Sequence, residues 1–176
     1  GGTYGITAEN RGTGALSITT TGITTGNGII NGNSGIYATN KADSTGGLTI
    51  NAATTTGGVT GIKAFNSGTG ALTIETTGIT TGDNSAGINA YNDGLGAVSI
   101  TTTSTTTGAT DGITAINKGT GALSITTMGI TTGSAGNGID AQNLEYYGNI
   151  PTSLTINAAT TTGGTHGINA LNNGTG

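Results

Sequence analysis

A six-residue phrase, Gly-Ile-x-Ala-x-Asn, recurs along the whole chain and constrains its fold more than any other feature. Its copies begin at Gly5, Gly35, Gly61, Gly87, Gly112, Gly138 and Gly167. Consecutive copies start 25 to 30 residues apart. Repetition at a period of about 20–50 residues is typical of solenoids, in which every unit packs only against its neighbours. Each copy is therefore expected to mark one coil of a solenoid.

Two further phrases follow the first within each complete unit. The second begins with a small residue, continues Leu/Val-Ser/Thr-Ile, and starts at Ala15, Gly47, Ala71, Ala97, Ala122 and Ser153. Seven residues after its Leu or Val comes a third repeated position, held by Ile23, Thr55, Ile79, Thr105, Ile130 and Thr161. Apolar residues alternate with polar ones in these phrases, which indicates strands with one buried face.

Three short strands per unit, separated by Gly-rich corners, predict an all-β chain without helices. We expect residues 1–176 to form a single segment of a parallel β-helix with three sides. The period predicts about 26 residues per coil, with six full coils and a partial seventh. Strands of successive coils would stack in parallel about 4.8 Å apart. Two stretches, Asn27–Asn33 and Leu144–Pro151, lengthen their coils and are expected to form loops.

Two inward columns and one asparagine column follow from the first phrase. Its Ile and Ala would face a narrow core that has room only for small and medium side chains. Its last residue, just before a corner, is Asn10, Asn40, Asn66, Asn92, Asn117, Asn143 or Asn172. Stacked asparagine amides can hydrogen-bond from coil to coil and to the corner backbone. The asparagine ladder is therefore interpreted as structural.

The sequence also contains a second, longer repeat that spans several coils. The string GALSITTTGITTG at Gly14 returns as GALSITTMGITTG at Gly121, and LTINAATTTGG at Leu48 returns at Leu154. These phrases come back after four coils, which indicates that a four-coil block was duplicated. We expect the chain to be a piece of a longer repetitive protein.

Charge and cysteine content exclude several classes of function. Only 7% of the residues are charged, the net charge is −4, and there is no cysteine. The four cations, Arg11, Lys41, Lys63 and Lys118, are scattered, so no cluster can neutralise adjacent phosphates of a nucleic acid. No apolar run approaches the roughly 20 residues of a membrane span. The sequence therefore predicts neither nucleic-acid binding nor membrane insertion by this segment.

No constellation of reactive side chains is recognisable. The acids are Glu9, Asp43, Glu75, Asp83, Asp93, Asp111, Asp140 and Glu145, mostly in different columns. They form no pair with the spacing of a general acid and base. His166 is the only histidine, which is too few for a zinc site or a catalytic triad. We expect no enzyme activity and no catalytic, metal or cofactor site.

Candidate interaction residues are few. Phe65, Tyr91 and Ile116 occupy one outward column on consecutive coils, and Tyr146 and Tyr147 lie in the longer loop. The apolar column is either cross-strand packing that stabilises the sheet or a contact surface for a receptor or another copy. The loop is either a binding insertion or a tolerated one.

Outward hydroxyls suggest a different function. The pairs Ser17/Thr19, Ser99/Thr101 and Ser124/Thr126 would form a flat grid of the kind that ice-binding β-solenoids display. Asn51, Glu75 and Asn157 interrupt this grid. The hydroxyls also suit a solvated strand surface, and they are positions to which glycans can be attached.

The coils GITAENRGTGALSITTTGITTG from Gly5 and GIKAFNSGTGALTIETTGITTG from Gly61 resemble the passenger regions of bacterial autotransporters and filamentous-haemagglutinin-like adhesins. The resemblance covers the whole chain through its style of repeat. It implies a right-handed β-helix that is secreted to the bacterial cell surface and acts as a structural or adhesive stalk. Its partners would be a host or neighbouring cell surface, or other copies of itself. The alternative function is ice binding through the outward Ser/Thr columns.

Overall fold

The computed structural model describes residues 4–28 and 33–176, and this part of the chain contains strands and no helix. The first ten strands are β1 (Ile6–Asn10), β2 (Leu16–Thr19), β3 (Thr24–Gly26), β4 (Ser34–Asn40), β5 (Leu48–Ala52), β6 (Thr55–Gly57), β7 (Thr60–Asn66), β8 (Leu72–Thr76), β9 (Thr80–Gly82) and β10 (Ile88–Asn92). The others are β11 (Val98–Thr102), β12 (Thr106–Gly108), β13 (Ile113–Asn117), β14 (Leu123–Gly133), β15 (Ile139–Asn143), β16 (Leu154–Gly163) and β17 (Ile168–Asn172). Residues 29–32 of the shorter predicted loop lie outside the described residues.

The strands stack into a parallel β-solenoid of about six coils with about 26 residues per coil, which confirms the predicted fold class. The first strands of the coils form a seven-stranded sheet in the order β1-β4-β7-β10-β13-β15-β17, which we call the first sheet. The remaining strands form the second sheet. In the fifth and sixth coils the second and third strands are continuous, as β14 and β16, so these two walls merge.

In the first sheet, the register between neighbouring coils pairs residues of the same type. Along the first sheet isoleucine pairs with isoleucine, alanine with alanine and asparagine with asparagine, for example Ile88 with Ile113 and Ala90 with Ala115. The isoleucine and alanine side chains of the middle coils are fully buried, and they pack against the Leu, Val and Ile residues of the second strands. The core is thus the narrow apolar interior that the alternation predicts.

The third repeated position does not form a single column, so the constant seven-residue offset is misleading. Thr55 pairs with Thr24 and Thr80, and all three are buried, whereas Ile23 lies one residue earlier and is 79% exposed. Ile79 and Ile130 are exposed like Ile23. The reason is a corner that is one residue shorter in the second and sixth coils, seen as a register shift where β14 pairs with β16. A shift of one residue exchanges the inner and outer faces of a strand.

Threonine hydroxyls are buried at this inner column and at the end of the second strands. Within the described part of the chain the Oγ1 atoms of Thr76, Thr80, Thr102, Thr106, Thr127 and Thr131 have no hydrogen-bond partner. The methyl groups explain why threonine is there: a Cβ on Gly87 would lie 2.8 Å from Cγ2 of Thr106. In the third-strand column, from Thr24 to Thr131, each methyl fills the space beside the glycine that starts a Gly-Ile-x-Ala-x-Asn phrase. The hydroxyls named above are desolvated.

Replacement of Thr106 by valine is expected to stabilise the protein by about 1 kcal/mol, because it keeps the methyl contact and removes a buried hydroxyl without a partner. The measurement is the urea midpoint of unfolding followed by circular dichroism. Thr107→Val, at the outward neighbour, is the matched control and should leave the midpoint nearly unchanged. A lower midpoint for Thr106→Val would show that the hydroxyl is hydrogen-bonded, for instance to internal water.

Candidate interaction surface

The seven asparagines of the predicted ladder form one hydrogen-bonded column beside the first sheet. From Asn10 to Asn172, the Nδ2 of each residue donates to the Oδ1 of the asparagine in the next coil, at 2.7 or 2.8 Å. In the middle coils each Nδ2 also donates to the carbonyl of a corner glycine, for example Asn92 to Gly96 at 2.9 Å. These amides are buried and connect the coils, so the column supports the site next to it.

An aromatic ladder runs diagonally across the outer side of the first sheet. Ring centroids are separated by 5.5 Å between Tyr4 and Tyr37, 6.1 Å between Tyr37 and Phe65, and 6.0 Å between Phe65 and Tyr91. These distances are typical of stabilising aromatic pairs. Ile116 is the register partner of Tyr91 in the next coil and extends the apolar surface.

Lysine side chains connect the ladder with the longer loop. The Nζ of Lys118 lies 5.0 Å from the ring centroid of Tyr91 and 4.3 Å from that of Tyr146. The Nζ of Lys63 lies 5.4 Å from the ring centroid of Phe65. The Tyr91 side chain beside the ammonium raises the pKa of Lys118, although partial desolvation opposes this, so the lysine is charged at neutral pH. Exposed cation–π contacts of this kind contribute about 0.5–1 kcal/mol each.

The longer loop contains a two-residue hairpin. Tyr146 and Asn149 form an antiparallel bridge, with N–H···O distances of 3.2 and 3.0 Å. Between them Tyr147 has φ of 50° and Gly148 has φ of 80°, the left-handed pair expected of a type I′ turn. The Tyr147 ring lies 4.3 Å from the Tyr146 ring, centroid to centroid, and its residue is 90% exposed.

The structure therefore brings together all five residues predicted as candidates, Phe65, Tyr91, Ile116, Tyr146 and Tyr147. It adds Tyr4, Tyr37, Lys63 and Lys118, which sequence reasoning missed. Tyr37 lies in the neighbouring outward column of its strand, so it reaches Phe65 only along a diagonal. A search of both outward columns for diagonal neighbours would have found it. We call the six aromatic residues Tyr4, Tyr37, Phe65, Tyr91, Tyr146 and Tyr147 the aromatic face.

Charged groups are also collected on this side. All four cations of the chain lie on the first sheet or on the corner that directly follows its strands. The Glu9 carboxylate forms ion pairs with Arg11 at 3.0 Å and with Lys41 at 3.2 Å. The hydrogen bond from Arg11, and then that from Lys41, lower the pKa of Glu9. The cations are thus accompanied by acids, and this side carries charges of both signs.

The second sheet presents a different surface. Its third strands carry an outward threonine in every full coil, at Thr25, Thr56, Thr81, Thr107, Thr132 and Thr162. Its second strands carry an outward Ser or Thr in the column that contains Ser17 and Ser99. Among the residues that the structure describes, Glu75 is the only charged one in the strands of this sheet. The threonine column was missed because the seven-residue offset mixed two columns, although Thr-Thr-Gly recurs in the sequence.

The polar residues considered for chemistry take part in local structure. The Asp111 carboxylate accepts a hydrogen bond from the Asn137 N–H at 2.7 Å, and His166 Nδ1 lies 3.0 Å from Asn137 Oδ1. Among the residues that the structure describes, no group of three or more His, Cys, Asp or Glu could hold a metal ion. That part of the chain also has no helix long and apolar enough to cross a membrane.

Comparison of the chain with family models, with curated proteins and with solved structures gives no match. A functional interpretation therefore depends on the two surfaces of the solenoid.

Proposed function

We propose that the chain is a structural and adhesive stalk of a secreted bacterial surface protein, with the aromatic face as its contact surface. The observation that carries this proposal is the segregation of side chains. All six aromatic residues and all four cations lie along one side of the repeating solenoid, at the first sheet and its flanking corners. Tyrosine and arginine are enriched among the residues that dominate binding energy at protein surfaces, and five of the six aromatic residues are tyrosines.

The solenoid supplies what a stalk needs. Parallel strand ladders and the asparagine column connect every coil to the next, so a load along the axis is shared by many hydrogen bonds. Within the part of the chain that the structure describes, the buried apolar side chains form one cluster that runs through the coils. A contact surface on such a rod keeps its spacing because the coils cannot slide past one another without losing register.

Adhesion is tested with beads that carry the purified chain. We expect the beads to bind bacterial or host cells, and the double variant Phe65→Thr/Tyr91→Thr to lose at least tenfold of this binding, because threonine keeps the strand and removes the rings. Threonine already stands in this column at Thr39. Thr107→Val on the second sheet is the control and should bind normally.

The same experiment separates the partners. Clumping of beads without cells would identify another copy as the partner. Equal binding by the double variant and the unmodified chain would contradict a contact role for the aromatic face. Small-angle scattering of both proteins, with the same elongated profile, shows that the rod itself is intact.

Ice binding is the second candidate, favoured by the unbroken outward threonine column of the third strands. It predicts thermal hysteresis that is lost on Thr107→Tyr. Exposed Ile23, Ile79 and Ile130 beside this column, and Glu75 within the sheet, disturb the flat hydroxyl array. We therefore prefer the stalk, and ice growth that the chain leaves unchanged would eliminate the alternative.

A further inference from the structure

We propose that the aromatic face, including the hairpin at Tyr146–Asn149, binds an extended, uncharged polysaccharide, with a sugar ring stacked on Tyr147. This inference rests on the proposed adhesive function and names its ligand class.

The first observation is a side chain in an unfavourable position. In a type I′ turn the first central residue has positive φ, and Asn, Asp or Gly is strongly preferred there. Tyr147 occupies this position with φ of 50°, and for a bulky residue this conformation is unusual and costs about 1 kcal/mol. Asparagine would relieve this cost.

Packing within the described chain does not explain the tyrosine. Its residue is 90% exposed, and its ring has one aromatic neighbour, Tyr146. A strained backbone that holds a large apolar ring in solvent is a feature of binding loops. The turn thus positions the Tyr147 ring for a ligand.

The hairpin is attached to the rod through Lys118. The ammonium group lies between the rings of Tyr91 and Tyr146, so the loop is connected to the ladder that continues through Phe65 to Tyr37. Ring contacts therefore extend from the second coil to the sixth. An elongated surface of this kind suits an elongated ligand.

Polar side chains accompany the rings. The outward column next to Phe65, Tyr91 and Ile116 contains Lys63, Asn89, Thr114 and Asp140. A pyranose has apolar C–H faces that stack on aromatic rings and hydroxyls that pair with amide, carboxylate and hydroxyl groups, so it uses both columns. The coil rise of about 4.8 Å is also close to the length of one sugar residue in an extended chain.

The charges on this side of the solenoid favour a neutral ligand. The acids Glu9, Asp43, Asp93, Asp140 and Glu145 lie on the same side as the four cations. A polyanion would meet these carboxylates, and the net charge of −4 would repel it. A sugar polymer without charge avoids this cost.

The test is affinity electrophoresis of the whole chain in gels that contain hydroxyethyl cellulose, galactomannan or polygalacturonate. We expect retardation by at least one neutral polymer, an affinity at least tenfold lower for Tyr147→Asn, and little change for Tyr147→Phe, which keeps the ring. Because asparagine suits the turn, the thermal midpoint of Tyr147→Asn should equal or exceed that of the unmodified chain. We therefore do not expect Tyr147→Asn to lose binding because it unfolds.

Three results would overturn the inference: retardation by neither neutral polymer, stronger binding to polygalacturonate, or full binding by Tyr147→Asn. Its failure is distinguishable from failure of the adhesive function. If neither neutral polymer retards the chain but beads still adhere to cells, and Phe65→Thr/Tyr91→Thr loses this adhesion, the adhesive function stands and the polysaccharide inference fails. If the chain binds a neutral polysaccharide but beads do not adhere to cells, the polysaccharide inference stands and the adhesive function fails.

Discussion

Replacement of Asn92 by alanine is expected to lower the free energy of unfolding by about 3 kcal/mol, because buried hydrogen-bonding groups lose their partners. Asn92 Nδ2 donates to the carbonyls of Gly94 and Gly96 and to Asn117 Oδ1, at 3.1, 2.9 and 2.7 Å. Its Oδ1 accepts from Asn66 Nδ2 at 2.7 Å. The residue is fully buried, so water cannot replace these contacts without opening the corner.

The measurement is urea denaturation followed by circular dichroism. Asn89→Ala is the matched control, because Asn89 lies on the same strand, faces outward and is only partly buried. We expect the control to shift the free energy by less than about 0.5 kcal/mol. If the two variants were equally stable, the asparagine ladder would not contribute to stability. A loss in the middle of the rod also weakens coupling between its halves, as in other repeat proteins.

Replacement of Gly108 by alanine is expected to destabilise the protein by about 3 kcal/mol or more through a backbone clash. The added Cβ would overlap the carbonyl oxygen of Asp111 and lie 2.7 Å from the backbone nitrogen of Gly87. Both are backbone atoms of neighbouring strands or corners, so neither can move away as a flexible side chain would. The equivalent glycines Gly57, Gly82, Gly133 and Gly163 meet, in the same way, the carbonyl of the residue just before the next Gly-Ile-x-Ala-x-Asn phrase.

Gly22→Ala is the control for this prediction. A Cβ at Gly22 would have no atom within 4 Å, and the residue lies on an exposed corner. The substitution should be neutral or slightly stabilising, because alanine restricts the unfolded chain. Thermal unfolding of both variants checks the difference. A Gly108→Ala protein as stable as Gly22→Ala would mean that the third strand and the following corner are further apart than the structure places them.

These contacts show which glycines in a glycine-rich sequence matter. The Thr-Thr-Gly phrase ends in glycine in all six full coils, yet the sequence alone does not distinguish it from corner glycines such as Gly14 or Gly22. The distinction is steric and comes from another part of the chain, the carbonyl of the corner that leads into the next coil. The pattern of residues along the sequence contains no information on the distance between this glycine and that carbonyl.

The candidate surface was predictable in part. Phe65, Tyr91 and Ile116 share one column with period two in each strand, so their proximity follows from the repeat. Tyr146 was predictable as a loop residue, but its contact with Lys118 was not. That contact depends on how the hairpin folds back, and a two-residue turn with tyrosine at its first central position has no recognisable sequence signal.

By itself the sequence determined the coil period, the parallel strands, the inward Ile and Ala columns and the position of the asparagines. These properties depend on alternation within a strand and on the spacing of equivalent residues, and both can be read directly from the linear sequence. Only the tertiary structure decided that Thr55 faces inward while Ile23 faces solvent, and that six aromatic side chains collect on one side. The physical reason is that corner length sets the register between coils, and register decides which face each residue joins.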